Sequence, residues 1–153
     1  MSLILATGSN LGNKEENLAS AKKELSLSLN IIAQSKIYKS KAVDYLDQPS
    51  FLNQVLEFEN PPITPKKLIE KLLLIETKLG RERKIKSGPR IIDIDILFLG
   101  LEKINQPNLT IPHPKLFERS FVLLPLKEVP FYKTLKKHFK FPSDIQNDAM
   151  PIE

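Results

Sequence analysis

The chain has 153 residues, 41% of them hydrophobic and 27% charged, a balance that fits one globular domain with a core large enough to stand without a staple. No apolar run approaches the roughly 20 residues a membrane helix needs, and the absence of cysteine excludes disulfides, thiolate metal sites, iron–sulfur clusters and thiol nucleophiles. The opening MSLILATGSNLG has no basic segment ahead of its short apolar stretch, so it reads as a first strand rather than a secretory signal and points to the cytoplasm.

Twenty-three Lys and Arg against 18 Asp and Glu give a net charge of +5, which suits an anionic partner. All four arginines, Arg81, Arg83, Arg90 and Arg119, fall between positions 81 and 119, while the other cations are lysines scattered along the chain. Arginine offers a planar fork for bidentate phosphate contacts where lysine is a point charge. The cluster therefore marks this stretch as a candidate anion site.

In chain order, Leu3–Thr7 is a short apolar strand ended by the tight loop Gly8-Ser9-Asn10-Leu11-Gly12-Asn13. Asn13, with Glu16 three residues on, caps a helix whose stripe Leu18, Ala21 and Leu25 runs to about Leu27. Ile31–Ser40 and Ser50–Glu59 read as two strands of an antiparallel pair, the second alternating at Leu52, Leu56 and Phe58. Thr64 and Pro65 are the cap and first-turn proline of a second helix, with Leu68, Leu72, Ile75 and Leu79 on its buried face and Gly80 as its stop. Arg81–Pro89 is too rich in Lys, Gly and Pro for a core and reads as a mobile surface loop. Ile91–Leu99 is a strand, and the proline-rich remainder reads as irregular with short helical pieces.

The order β-α-β-β-α-β predicts an α+β, ferredoxin-like sandwich, an antiparallel sheet with two helices on one face. Residues 1–153 read as a single domain, with 1–130 its core and 131–153 an irregular, divergent tail.

Strand period two puts Ile92, Ile94, Ile96 and Phe98 on one face and Ile91, Asp93, Asp95, Leu97 and Leu99 on the other. The two carboxylates then project together, about 6.6–6.8 Å apart along the strand. A solvated sheet face would carry polar residues at 91, 97 and 99 as well. Two like charges on an apolar face lose hydration and repel, so arginines or divalent cations should compensate them. Hard oxygen donors in this arrangement suit Mg²⁺, which completes its shell with water and phosphate. Arg90 lies on the approach to this strand, and Arg81, Arg83 and Lys84 lie on the same loop; these are the parts of a phosphoryl-transfer site. The segment Gly8–Glu15 fails as a P-loop, because its glycine spacing is one residue short and Glu15 stands where Ser or Thr would hold the metal.

Gly88-Pro89-Arg90-Ile91-Ile92-Asp93-Ile94-Asp95-Ile96-Leu97 resembles the signature of the 6-hydroxymethyl-7,8-dihydropterin pyrophosphokinases of folate biosynthesis. Gly8–Gly12, Asp47-Gln48-Pro49 with Phe51-Leu52-Asn53, Glu76 with Gly80-Arg81-Glu82-Arg83, and Leu109–His113 with Arg119-Ser120-Phe121 resemble family blocks in family order, over roughly the first 130 residues. The resemblance implies transfer of a pyrophosphoryl group from ATP to the pterin's hydroxymethyl, with AMP leaving, two Mg²⁺ per site and a monomer. It implies that Asp93 and Asp95 bind both metals and that Arg81 and Arg90 act on the phosphates. It implies Phe51 and Phe121 stacked on the pterin, with Asn53 and Asp95 at its edge, and Arg83, Lys84, Arg90, Ile96, Thr110, His113 and Arg119 at the nucleotide.

Ser87 stands where a tryptophan is familiar in the family, on a loop one residue shorter. Pro114 replaces a tyrosine, and Leu73 occupies a position expected to be polar; these departures bear on nucleotide affinity. An RNA-binding module of the same fold is the rival reading, but it would carry aromatics where IIDIDIL is acidic. A nucleotide-binding module without catalysis is the second rival. Neither nucleic acid nor membrane is expected as a partner.

Overall fold

The structure, a computed structural model, describes residues 1–41, 48–81, 89–143 and 149–152. Its elements are β1 (Ser2–Ser9), α1 (Lys14–Ser26), β2 (Ile31–Gln34), β3 (Tyr38–Ser40), β4 (Phe51–Glu59), α2 (Pro65–Lys78), β5 (Asp93–Leu99), β6 (Ile104–Gln106), β7 (Leu109–Ile111), α3 (Ser120–Leu126), α4 (Tyr132–His138) and β8 (Ala149–Pro151). The sheet runs β5-β1-β4-β3-β8, with β2 also on β4, and its pairings are antiparallel. Counting β2 and β3 as one interrupted strand, the spatial order is fourth, first, third, second, and the fold is ferredoxin-like as expected.

Local chemistry sets the helix limits. Asn13 accepts from the Glu16 N–H at 3.1 Å and Thr64 from the Lys67 N–H at 3.2 Å, each satisfying a first-turn donor. Helix α2 ends where Gly80 takes φ 98°, a left-handed turn that glycine adopts without a Cβ clash. The Gly80 N–H then donates to the Thr77 carbonyl and the Arg81 N–H to that of Glu76, both at 3.0 Å, closing a Schellman turn. The turn delivers Arg81 to the start of β5.

Alternation splits the sheet into two faces. Leu3, Leu5, Leu56, Phe58, Ile94 and Ile96 pack with α1 and α2, while Ile4, Val55 and Phe98 pack with α3, α4 and the tail. The second layer is the main difference from expectation. The C-terminal part, read from sequence as irregular, covers the other face: Phe139 and Phe141 lie 5.1 and 6.2 Å from Phe98, ring to ring. Buried Glu57 ties this layer to the sheet by accepting from the Ser2 hydroxyl at 2.8 Å and the Phe131 N–H at 2.9 Å. Strand β8 extends the sheet beyond β3.

A second difference lies in β5. Leu5 pairs with Ile96 but Ile4 pairs with Phe98, so Leu97 is an extra residue in the ladder. This bulge reverses the alternation beyond it. Phe98 therefore joins Leu97 in the α3/α4 layer, and Leu99 joins Ile94 and Ile96 in the other, opposite to the faces that strict alternation assigned. Asp93 and Asp95 precede the bulge and keep their shared face.

Candidate active site

The site forms where β1 and β3 end and β4 and β5 begin. Strand β4 supplies Phe51 and Asn53 and β5 supplies Asp93 and Asp95, all on the face that α3 covers only in part. Register brings them together, because Gly8 of β1 lies opposite Asn53 on one side and Asp93 on the other. A Cβ on Gly8 would meet Asn53 Oδ1 at 3.2 Å and Phe51 Cδ1 at 3.6 Å, so glycine is needed there for close approach.

Asp93 accepts from Arg81 at 2.8 Å through Oδ1 and from Arg90 at 3.1 Å through Oδ2. Arg81 also donates to Glu76 at 2.6 Å, and the same Glu76 oxygen accepts the Ile94 N–H at 2.7 Å. Glu76 is 3% exposed, so one buried carboxylate fixes both the arginine and the β5 backbone. Its role went unread in the sequence, although its place four residues after Leu72, on the helix's buried face, is a signal.

Asp95 is in a different state. Burial, then the charge and hydrogen bond of Asp93, then the charge of Glu76, outweigh Arg119 and push its pKa up to about 8. Two facing carboxylates of which one holds its proton form a donor set that a divalent cation would relieve. Among the described residues no third His, Cys, Asp or Glu joins them as a potential ligand. The pair fits an ion such as Mg²⁺ that takes one or two carboxylates and fills its shell from water and phosphate.

Two lobes open onto this pair. The first, about 120 Å³, is lined by Phe51, Asn53, Phe121, Gly8, Ser40 and Gln54. The second, about 580 Å³, is lined by Arg81, Ile96, Thr110, Leu73, Asn108 and Pro114. Arg90, Asp93, Asp95, His113 and Arg119 line both. The Arg90 guanidinium lies 5.5 Å from the Phe51 ring centre and Arg119 lies 5.5 Å from that of Phe121, so each aromatic wall of the small lobe carries a cation from the junction.

His113 Nδ1 accepts the Lys115 N–H at 3.2 Å, which assigns the proton of the neutral ring to Nε2. Burial, then Arg119, lower its pKa, against the charge of Asp93. It is thus a neutral donor at the junction rather than a cation.

The structure brings together Phe51, Asn53, Arg81, Arg90, Asp93, Asp95, Ile96, Thr110, His113, Arg119 and Phe121 around one cleft. Arg83, Lys84 and Ser87 lie outside the described residues, as does Asp47. Ser40, missed in the sequence reading, accepts from Asn53 Nδ2 at 2.8 Å and so holds the amide with its other atom, Oδ1, beside Gly8.

Comparison with known proteins supplies the family. The sequence profile of the 7,8-dihydro-6-hydroxymethylpterin-pyrophosphokinases matches residues 4–130. The 2-amino-4-hydroxy-6-hydroxymethyldihydropteridine pyrophosphokinase of Bacillus subtilis is 39% identical over 127 residues, 82% of this chain and 75% of that protein. Folic acid synthesis protein fol1 of Pneumocystis carinii is 41% identical over 128 residues, 83% of this chain, but the chain spans only 17% of its length. A crystal structure of wild-type Plasmodium falciparum HPPK-DHPS with pteroate shares the fold, with a TM-score of 0.64 at 16% identity over 83% of this chain and 38% of that one. No helix among the described residues is long and apolar enough to cross a membrane. A profile matched over most of the sequence, and a bacterial relative matched over three quarters of its own, establish that the chain belongs to the 7,8-dihydro-6-hydroxymethylpterin-pyrophosphokinase family, the diphosphotransferases of folate biosynthesis.

Proposed function

We propose that this cleft transfers the pyrophosphoryl group of ATP to the hydroxymethyl oxygen of 6-hydroxymethyl-7,8-dihydropterin, releasing AMP. The observation that carries the reading is that two lobes of different chemistry, one aromatic and one polar, open onto the same Asp93–Asp95 pair. The small lobe takes the flat pterin between Phe51 and Phe121, with the Asn53 amide at its donor–acceptor edge. The large lobe takes the nucleotide, its base along Ile96 and Thr110 and its phosphates toward Arg81, Arg90, His113 and Arg119, with Arg83 and Lys84 as further cations.

Asp93 and Asp95 are the residues to hold divalent cations, two Mg²⁺ in our reading; bound there, such ions neutralise phosphate oxygens and align the triphosphate. The pterin oxygen bonds to the β-phosphorus as the bond from that phosphorus to the oxygen bridging it to the α-phosphorus breaks. The bridging oxygen leaves on AMP, and the hydroxyl proton passes to solvent. No general base is invoked, since a loose transition state asks mainly for alignment and charge. We read the chain as a monomer and residues 1–153 as one catalytic domain.

The test is to incubate the protein with Mg²⁺-ATP and the pterin and to separate the adenine nucleotides by chromatography. AMP formed only in the presence of pterin supports the reading, whereas ADP would replace it with γ-phosphoryl transfer. Within this reading Arg90→Ala is expected to slow the single-turnover rate by about 100-fold or more while raising the pterin Kd less than about tenfold, since the guanidinium supplies only one face of Phe51's surroundings. Rapid-quench and equilibrium titration separate the two. Ser40→Ala is expected to do the reverse. Releasing the Asn53 amide raises the pterin Kd by about 3–10-fold and leaves the ATP Kd unchanged, with Ser40→Thr restoring the wild-type value.

A further inference from the structure

The tail after residue 130 reads in the sequence as divergent and irregular, yet its strand β8 is seated against the outer support of the aromatic lobe. It pairs antiparallel with β3, Ser40 opposite Ala149, Lys39 opposite Met150 and Tyr38 opposite Pro151. The Ile152 N–H donates to the Ile37 carbonyl at 3.0 Å. In antiparallel alternation that bond makes Lys39 and Met150 the pair that exchanges hydrogen bonds, and Ser40–Ala149 and Tyr38–Pro151 the closer, non-hydrogen-bonded pairs. Pro151 thus stands where its missing N–H costs the ladder nothing, the place open to a proline on an edge strand.

Strand β3 is only three residues long, and β4 holds it by one edge. Two further ties fix it. Shortly after α3, Glu128 accepts the Lys36 N–H at 2.8 Å and the Tyr38 hydroxyl, which anchors the entry to β3. Strand β8 is the other tie, and it acts at the end of β3 that meets the site.

Ser40 is 4% exposed and Ala149 1%. As a close pair on one face, with Cα atoms about 4.5 Å apart, they lie side by side. Ser40 lines the small lobe, and its hydroxyl accepts from Asn53 Nδ2 at 2.8 Å. Met150, at the alternate position, is 71% exposed, so its side chain faces solvent and its backbone does the pairing. Support therefore runs from the Met150 backbone through Lys39 to Ser40, and from there to the Asn53 amide.

We propose that β8 is a positioning element for the pterin lobe: by pairing with β3 it fixes the Ser40 hydroxyl, and through it the face that the Asn53 amide presents to the ligand. An amide reads a donor–acceptor edge only when its oxygen and nitrogen are held in one order. Holding them before the ligand arrives removes that ordering cost from binding. The inference deepens the function proposed above and rests on its assignment of the pterin to the small lobe. The two ideas fail separately. If wild-type protein binds no pterin and forms no AMP, that reading falls, and this inference with it; if wild type does both and the variants keep its pterin affinity, this inference alone falls.

The experiment is calorimetric titration of the pterin into the full chain with saturating Mg²⁺ and α,β-methylene ATP, which cannot release AMP, alongside titration of that nucleotide by itself. Met150→Pro removes one N–H from the ladder and places no new group in the cleft. It is expected to raise the pterin Kd by about 3–10-fold, the effect of one lost hydrogen bond, and to leave the nucleotide Kd within about twofold of wild type. Met150→Ala keeps the N–H and is expected to retain the wild-type pterin Kd. Added to Ser40→Ala, Met150→Pro is expected to raise the pterin Kd no further, since changes within one chain of contacts are not additive. A merely structural role would lower the melting temperature and act equally in both backgrounds. Should Met150→Pro fail to fold, Ala149→Val decides: it keeps the pairing but crowds Ser40, and the same rise is expected with the same dependence on Ser40. A wild-type pterin Kd in these variants, an equal rise with Ser40→Ala in place, or a parallel rise in the nucleotide Kd overturns the proposal.

Discussion

In metal-free buffer above pH 7, Asp95→Asn is expected to melt at a higher temperature than the wild-type protein, while its turnover with Mg²⁺-ATP and pterin falls by about three orders of magnitude. The two effects have one cause. Asp95 faces Asp93 in a partly buried site, and its carboxyl holds a proton to about pH 8 instead of releasing it near the ordinary 3.8. Between those values the folded protein binds more protons than the unfolded chain, so stability falls as pH rises from about 4 to 8 and levels off above. The amide has no proton to lose, and Asp95→Asn flattens that slope. It also removes half of the anionic pair that would hold the cation. Thermal melts in EDTA across this pH range, alongside AMP formation with Mg²⁺, measure both. A variant with the wild-type pH slope would show that Asp95 is not the strained carboxyl, and wild-type turnover would remove it from the catalytic machinery.

Glu76→Ala is expected to cost about 3–5 kcal/mol of unfolding free energy, because it leaves buried partners unpaired rather than merely deleting a contact. One oxygen of Glu76 serves Arg81 and the Ile94 N–H together. Without it the guanidinium, only 13% exposed, keeps Asp93 but loses its shorter bond, and the buried Ile94 N–H at the start of β5 is stranded. Glu76→Gln retains an acceptor for Ile94 and should lose about 1–2 kcal/mol. In a chain of this size each kcal/mol moves the melting temperature by about 2–4 °C, so urea titration and thermal melts resolve the two variants. Equal loss in both would assign the effect to Glu76's charge alone, and no loss in either would remove the buried network as a source of stability.

The parts of the fold legible in the sequence were those fixed by neighbours in the chain. Asn13 with Glu16, Thr64 with Pro65, and Gly80 mark helix ends through contacts three to five residues long, and they stand where expected. The C-terminal layer was not legible, because its cause is distant. Helices α3 and α4 are seven residues each, α3 with Pro125 inside it, and they hold their places through Phe98, Glu57 and Val55 of the sheet. The bulge at Leu97 was hidden for a similar reason, since only pairing with Ile4 and Leu5 reveals an extra residue. In the site, Asp93 and Asp95 stood out as charges on an apolar strand, with Arg81 and Arg90 at its approach. Phe51 and Phe121 have no signal of their own and were reached only through the family resemblance. Ser40 and Glu76 took their meaning from partners 13 and 18 positions away.

The extra residue in β5 makes the length of that strand a fixed requirement of this fold. Upstream of Leu97 the strand is read in one phase, carboxylates toward the cleft and isoleucines toward α2; downstream it is read in the opposite phase, with Phe98 seated among the tail's aromatics. Deleting a single codon there would leave every residue chemically acceptable and yet turn one end of the strand over, either lifting Phe98 from its aromatic nest or rotating the carboxylates into the core. Insertions and deletions should therefore accumulate in the exposed connection between β4 and α2 long before any is accepted between Asp93 and Leu99.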